Sequence, residues 1–195
     1  MKLLNCPLRE KFLLFLTTLL VPGCAILNQP PPTEIPAVQL QCKNYPRLVD
    51  GNMGTSSILK VEGSVEKDHT DGVTLPYRYQ DSIQGTNKVQ ALIQLNSAEY
   101  VTYVEIHPAS NILSLTIDTA ESDQAHRFTR ISDNRRAKSE NAAVIRVSIE
   151  RDILFLRLTA TSERDSAKST REPSTDKITV PFKDIVIREV KFYGK

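Results

Sequence analysis

The chain predicts an all-β fold, a sandwich or barrel of many short strands, and three observations carry that expectation. Short runs rich in β-branched and aromatic residues recur at near-regular spacing between turn residues, several of them alternate apolar and polar positions, and no window sustains a helical period with caps. The runs are Lys88–Ser97, Tyr100–Pro108, Asn111–Ala120, Ala142–Ile149, Ile153–Thr161 and Asp184–Tyr193. In Asn111–Ala120, Ile112, Ser114, Thr116 and Asp118 alternate with Leu113, Leu115 and Ile117, which reads as one wet and one dry face. Two polar stretches read as loops. Ser162–Asp176 has no aliphatic residue larger than alanine and is expected to be a mobile hairpin excursion, while Asp133–Asn141 is expected to be a shorter connection.

The amino-terminal segment reads as an address. Lys2, Arg9 and Lys11 precede the apolar run Phe12–Val21, which is shorter than the roughly 20 residues a membrane-spanning helix requires. Val21-Pro22-Gly23-Cys24 follows at once and resembles the lipobox of bacterial lipoproteins. That resemblance implies cleavage after Gly23, lipid on Cys24 and, with Ala25 next, an outer-membrane destination in a Gram-negative host. The other reading is an ordinary secretory signal or an uncleaved anchor. Residues 24–36 contain four prolines and read as an extended tether, leaving 37–195 as one domain.

Loss of residues 1–23 would remove three of the 25 basic and one of the 23 acidic residues, leaving 22 of each. A near-neutral chain gives no compositional support for binding nucleic acid or anionic headgroups. Cys6 would leave with the signal and Cys24 would carry lipid, so Cys42 has no partner for an internal disulfide and reads as a small apolar residue. His69, His107 and His126 lack metal-ligand spacing, and the chain has no Gly-x-Ser-x-Gly, His-Glu-x-x-His or phosphate-cradling glycine loop. No catalytic residue is expected.

Three motifs share an order: RLVDGNMGT at Arg47–Thr55, the strand pair ALIQLNSAEYVTYVEIHP, and IREVKFYG at Ile187–Gly194. Together they resemble the discoidin domains, also called coagulation factor 5/8 type C domains, and the bacterial carbohydrate-binding modules with the galactose-binding-like jelly-roll β-sandwich. The chain departs from the pattern in having Ser56 and Ser57 where an aromatic residue often follows the Thr, and in having no Trp.

The resemblance implies a non-catalytic binding module. It also implies a structural Ca²⁺ held by Asp50, Thr55 and Glu189 with main-chain oxygens around Asn52, a suitable set for a hard cation taking six to eight oxygens. The competing reading is that Asp50 and Thr55 cap a turn while Glu189 pairs with a base such as Arg47. Family ligands meet loops at one end of the sandwich. His69, Asp71, Tyr77, Arg78 and Tyr79 supply the best candidate loop here, an aromatic face for sugar C–H groups with planar and acidic groups for hydroxyls. Tyr77 and Tyr79 read in preference as one face of an edge strand packed on the core, since tyrosine is commonly part-buried with its hydroxyl wet. Two functions stay open: recognition of a glycan or other extracellular ligand, and docking of an envelope protein on a scaffold.

Overall fold

A computed structural model describes residues 30–69, 79–122, 127–137, 143–174 and 177–195. The strands are β1 (Thr33–Glu34), β2 (Leu40–Cys42), β3 (Ser57–Leu59), β4 (Gly63–His69), β5 (Tyr79–Gly85), β6 (Lys88–Pro108), β7 (Ile112–Ala120), β8 (Thr129–Ala137), β9 (Ile145–Thr161), β10 (Thr170–Glu172), β11 (Lys177–Pro181) and β12 (Ile185–Gly194). All their pairings are antiparallel, and no α-helix occurs among the described residues. This is a discoidin-like jelly-roll β-sandwich.

The larger sheet runs β1-β12-β6-β9-β7-β8, with β2 added on β6 and β3 on β12. Its centre is a ribbon of two long strands that the sequence presents as four short ones. In β6 the pairing jumps from Gln94↔Phe155 to Glu99↔Ile153, and in β9 a second irregularity falls between Val101↔Arg151 and Tyr103↔Ser148, at Glu150, whose φ is +51°. Such bulges bend a strand and let it pass from one layer of a sandwich to the other. Before its bend β6 pairs with β2, and beyond it with β12, while the second half of β9 pairs with β7. Ile93, Leu95, Leu115, Ile117, Leu156 and Leu158 from one arm meet Val104, Ile106, Val147, Val190 and Phe192 from the other in one core. Each such side chain contributes roughly 1.5–3 kcal/mol when fully buried.

Three sequence expectations need correction. Ser162–Asp176 is not a free excursion: Ser166–Lys168 form a 3₁₀ turn, and β10 with β11 form a hairpin whose β11 pairs with β4. The result is a second sheet, β10-β11-β4-β5, drawn from two distant stretches of chain and tied by Lys177 to Glu66 at 2.7 Å and Arg164 to Asp81 at 2.8 Å. Ordering there comes from backbone pairing and ion pairs, which an aliphatic count does not register. Within Asp133–Asn141, Asp133–Ala137 belong to β8. In β7 the alternation slips: Ile112 is buried and Leu113 exposed, and Asp118, placed on the wet face by its period, is only 3% exposed. A register irregularity with β8 moves the phase, and Arg130 and Arg157 close over the Asp118 carboxylate at 2.9 and 3.0 Å.

Cys42 is a free thiol in the core, consistent with its reading as a small apolar residue, and burial pushes its pKa up.

Candidate functional site

The Asp-Gly-Asn turn and the last strand lie against each other. Pro46–Val49 form a 3₁₀ turn that buries Leu48 and Val49, and the chain then reverses through Asp50 to Gly51 at φ +74°. Glycine suits this position twice over, because a side chain would sit in the left-handed region and its Cβ would lie 3.1 Å from Ala37 Cβ. The reversal aims the Gly51 N–H at Glu189 Oε1, 3.3 Å away. Asp50 Oδ1 accepts from the Asn52 N–H at 2.9 Å, and the Thr55 hydroxyl lies 2.9 and 3.1 Å from the two Asp50 oxygens. That hydroxyl is also 2.9 Å from the Asn52 carbonyl and has one proton to give among them. Asn52 Oδ1 accepts from the Gly54 N–H at 2.9 Å. Asp50 and Thr55 do cap a turn, as one reading held, but Glu189 has taken a backbone N–H and not the Arg47 guanidinium.

Glu189 sits beside a register irregularity in β12, is 2% exposed, and has no hydrogen-bond partner for its Oε2. Its carboxyl also lies within hydrogen-bonding reach of Asp50, a contact two ionised acceptors cannot use. Burial is the main reason its pKa is pushed up to about 7; the Gly51 N–H opposes this and the Asp50 charge adds to it. Asp50 responds in the opposite direction. Partial desolvation pulls it up, but the Asn52 N–H, the Thr55 hydroxyl, the contact with Glu189 and the charge of Arg47 bring it below its ordinary value.

Chemically, the arrangement is two adjacent carboxylates, one with a buried bare oxygen, surrounded by hydroxyl, amide and main-chain oxygens. Such a donor set fits a hard cation. Among the described residues no group of three or more His, Cys, Asp or Glu that could hold a metal ion converges, so a cation here would rest on two carboxylates completed by hydroxyl and main-chain oxygens, a set for a hard ion and not for zinc.

Beside the turn opens a cleft of about 810 Å³, lined in part by Val38, Lys43, Asn44, Asp50, Leu92 and Gln94. Its apolar rim is unusually wet, Val38 being 82% and Leu92 47% exposed. Sequence reasoning missed this cleft because Leu92 reads as one more residue of an aliphatic strand, and only the pairing of β2 with β6 brings it beside Asn44.

Of the proposed ligand loop, His69 and Tyr79 face each other as the last backbone rung of the β4–β5 ladder. Asp71, Tyr77 and Arg78 lie outside the described residues, as does Cys24. A further cluster was invisible in the sequence. Tyr193 stacks on Tyr103 at 4.5 Å, Arg146 covers Tyr103 at 4.4 Å, and Arg146 and Tyr193 both reach Glu105. Both faces of Tyr103 are therefore occupied from within the protein, so its ring offers no free platform.

No known family profile and no curated protein matches the chain. Solved structures do. The module CBM32-3 of a family 31 glycoside hydrolase from Clostridium perfringens aligns at 15% identity and a TM-score of 0.50, covering 83% of this chain and 95% of its own. The family 32 carbohydrate-binding module of NanJ from the same organism, solved in complex with galactose, aligns at 15% identity and TM-score 0.50 over 83% and 98%. The module CpGH89CBM32-5, also from C. perfringens and in complex with GalNAc-β-1,3-galactose, gives 10% identity and TM-score 0.50 over 83% and 100%. At these identities the likeness is one of fold: the chain has the discoidin-like, galactose-binding-like architecture of these modules.

Proposed function

We propose that this protein is a non-catalytic carbohydrate-binding module carried on a lipid-anchored envelope lipoprotein. The observation that carries the reading is the fold, matched over nearly the full length of modules solved with galactose and with a galactose-containing disaccharide. Recognition would fall to loops at one end of the sandwich, with His69, Asp71, Tyr77, Arg78 and Tyr79 as the proposed contacts. Asp50 and Glu189, with Thr55 and the main chain around Asn52, would hold one Ca²⁺. Bound there, the ion would neutralise the facing carboxylates and pin the early turn to the last strand, a structural role in place of a disulfide.

Docking of an envelope protein is the second reading, and the exposed Val38 and Leu92 rim is the observation that favours it.

A glycan array probed with the full-length protein in detergent, with calcium and with chelator, tests the first reading. Binding to a defined glycan class is expected. Silence across the array, together with capture of one envelope protein, would replace it with the second. Membrane attachment has its own test: Cys24→Ala is expected to move the protein from the membrane fraction to the soluble fraction, and unchanged sedimentation would count against the lipid anchor.

A further inference from the structure

A second cleft, of about 290 Å³, lies where the end of β7, the start of β8 and the corner of β9 meet, with Thr119, Glu121, Ser122, Arg127, Thr129 and Arg151 among its lining. None of the candidate site residues read from the sequence belongs to it. Arg151 is placed there by the bend in β9, one residue after Glu150 with its positive φ, and its backbone is held by pairing with Val101. Arg127 stands just before β8.

The neighbouring arginines show what these two lack. Arg130 and Arg157 are both spent on Asp118, and Arg157 also lies 4.2 Å over the Phe128 ring. Among the described residues, no ion pair or hydrogen bond engages the side chain of Arg127, Arg151 or Glu121. The Nε–H of Arg151 is buried and has no acceptor. A buried guanidinium N–H left without an acceptor is costly, and a ligand oxygen that reached it would relieve that cost.

Among the described lining residues two guanidiniums stand against one carboxylate, and the planar guanidinium fork matches a carboxylate or sulfate in two-point contact. Threonine and serine side chains line the remaining wall and suit hydroxyls. The volume stands at the lower end of the roughly 300–1,000 Å³ typical of small-molecule sites, enough for a ligand about one sugar in size.

We propose that this cleft is a subsite for an acidic sugar, with Arg151 and Arg127 receiving its carboxylate or sulfate. The inference rests on the glycan-binding reading above and specifies its ligand class.

The test is calorimetric titration of the full-length protein in detergent with galacturonate, glucuronate and galactose 6-sulfate, each against its neutral parent sugar, and with inorganic sulfate alone. At least one acidic sugar is expected to bind about tenfold more tightly than its parent, a difference of about 1.4 kcal/mol. Arg151→Met and Arg127→Gln should abolish that preference and Arg151→Lys should keep part of it. Because the Arg151 Nε has no acceptor to lose, Arg151→Met should leave the melting temperature unchanged or higher, and a marked fall would assign Arg151 a structural role and overturn the proposal. Sulfate binding as tightly as the acidic sugars would make this an anion site without sugar recognition and would also overturn it. Neutral sugars binding as well as acidic ones would remove the subsite while leaving the glycan-binding function standing, whereas failure of every sugar here and on the array would remove both.

Discussion

Glu189 and Glu105 lie two rungs apart on the same β6–β12 ladder, Glu189 opposite His107 and Glu105 opposite Lys191, yet their carboxylates are treated in opposite ways. Glu105 is saturated. Its Oε1 accepts from Arg146 at 2.5 and 3.1 Å, and its Oε2 lies 3.3 Å from the Tyr193 hydroxyl and 3.7 Å from His107 Nε2. Glu189 is more deeply buried, holds one backbone N–H and faces a second carboxylate. Burial of a charge is tolerable only with donors or an opposite charge to compensate. The first carboxylate therefore behaves as structural lattice, and the second is left short of compensating donors and positive charge.

That contrast can be broken most forcefully at Glu189 in the absence of metal. Its carboxyl sits at about 7 when folded against an ordinary 4.5, so the native state holds the proton more tightly than the unfolded chain. The associated stability is full below about pH 4.5 and is lost as pH rises through 7, up to about 3 kcal/mol at 1.36 kcal/mol per unit. The lowered Asp50 carboxyl acts in the opposite sense and reduces the net slope. In chelator at pH 8, Glu189→Gln should therefore melt higher than the parent by as much as roughly 6–12 °C for a domain of this size, with the gap closing by pH 5. Parallel melting curves at both pH values would show that Glu189 is not strained by its charge.

Calcium is expected to produce a slightly smaller effect. Present at about 100 times its dissociation constant it should stabilise the parent by about 2.7 kcal/mol, or roughly 5–10 °C, and Asp50→Asn should lose most of that gain. Equal shifts in the two proteins would place any calcium elsewhere.

Glu105 predicts the reverse behaviour. Glu105→Ala leaves the Tyr193 hydroxyl and the Arg146 guanidinium without their acceptor; because Arg146 is mostly exposed, the cost should be about 1–2 kcal/mol, insensitive to calcium. Denaturant titration with and without the ion measures both properties, and a calcium-dependent cost would erase the distinction between the two rungs. The smallest change is Tyr193→Phe, about 0.5–1 kcal/mol, since the ring stack survives and only the bond to Glu105 is lost. In the parent, burial followed by the Glu105 charge pushes the Tyr193 phenol up to about 12, so its ultraviolet titration should fall toward that of an ordinary tyrosine in Glu105→Ala.

The all-β class was legible because alternation and β-branched runs encode it locally: Lys88–Pro108, Ile145–Thr161 and Ile185–Gly194 are strands where the residue pattern placed them. The adjacency of Asp50 and Glu189 came only through resemblance, since nothing in either segment alone specifies the other across 139 positions of chain. What the pattern concealed was register. Whether Lys88–Pro108 is two strands or one bent strand depends on bulges, and a bulge is a property of a strand and its partner together.

The residues themselves thus determined the strand-forming segments and the turn at Asp50–Gly51, because propensity and positive φ are local facts. Tertiary structure alone decided that Thr170–Glu172 would pair with β11 in the sheet that holds β4, that Asp118 would be buried between two arginines, and that Glu189 would lack the donors Glu105 has. Each of those outcomes is set by which strands become neighbours and in what register, and a single-residue slip in pairing would exchange one set of partners for another.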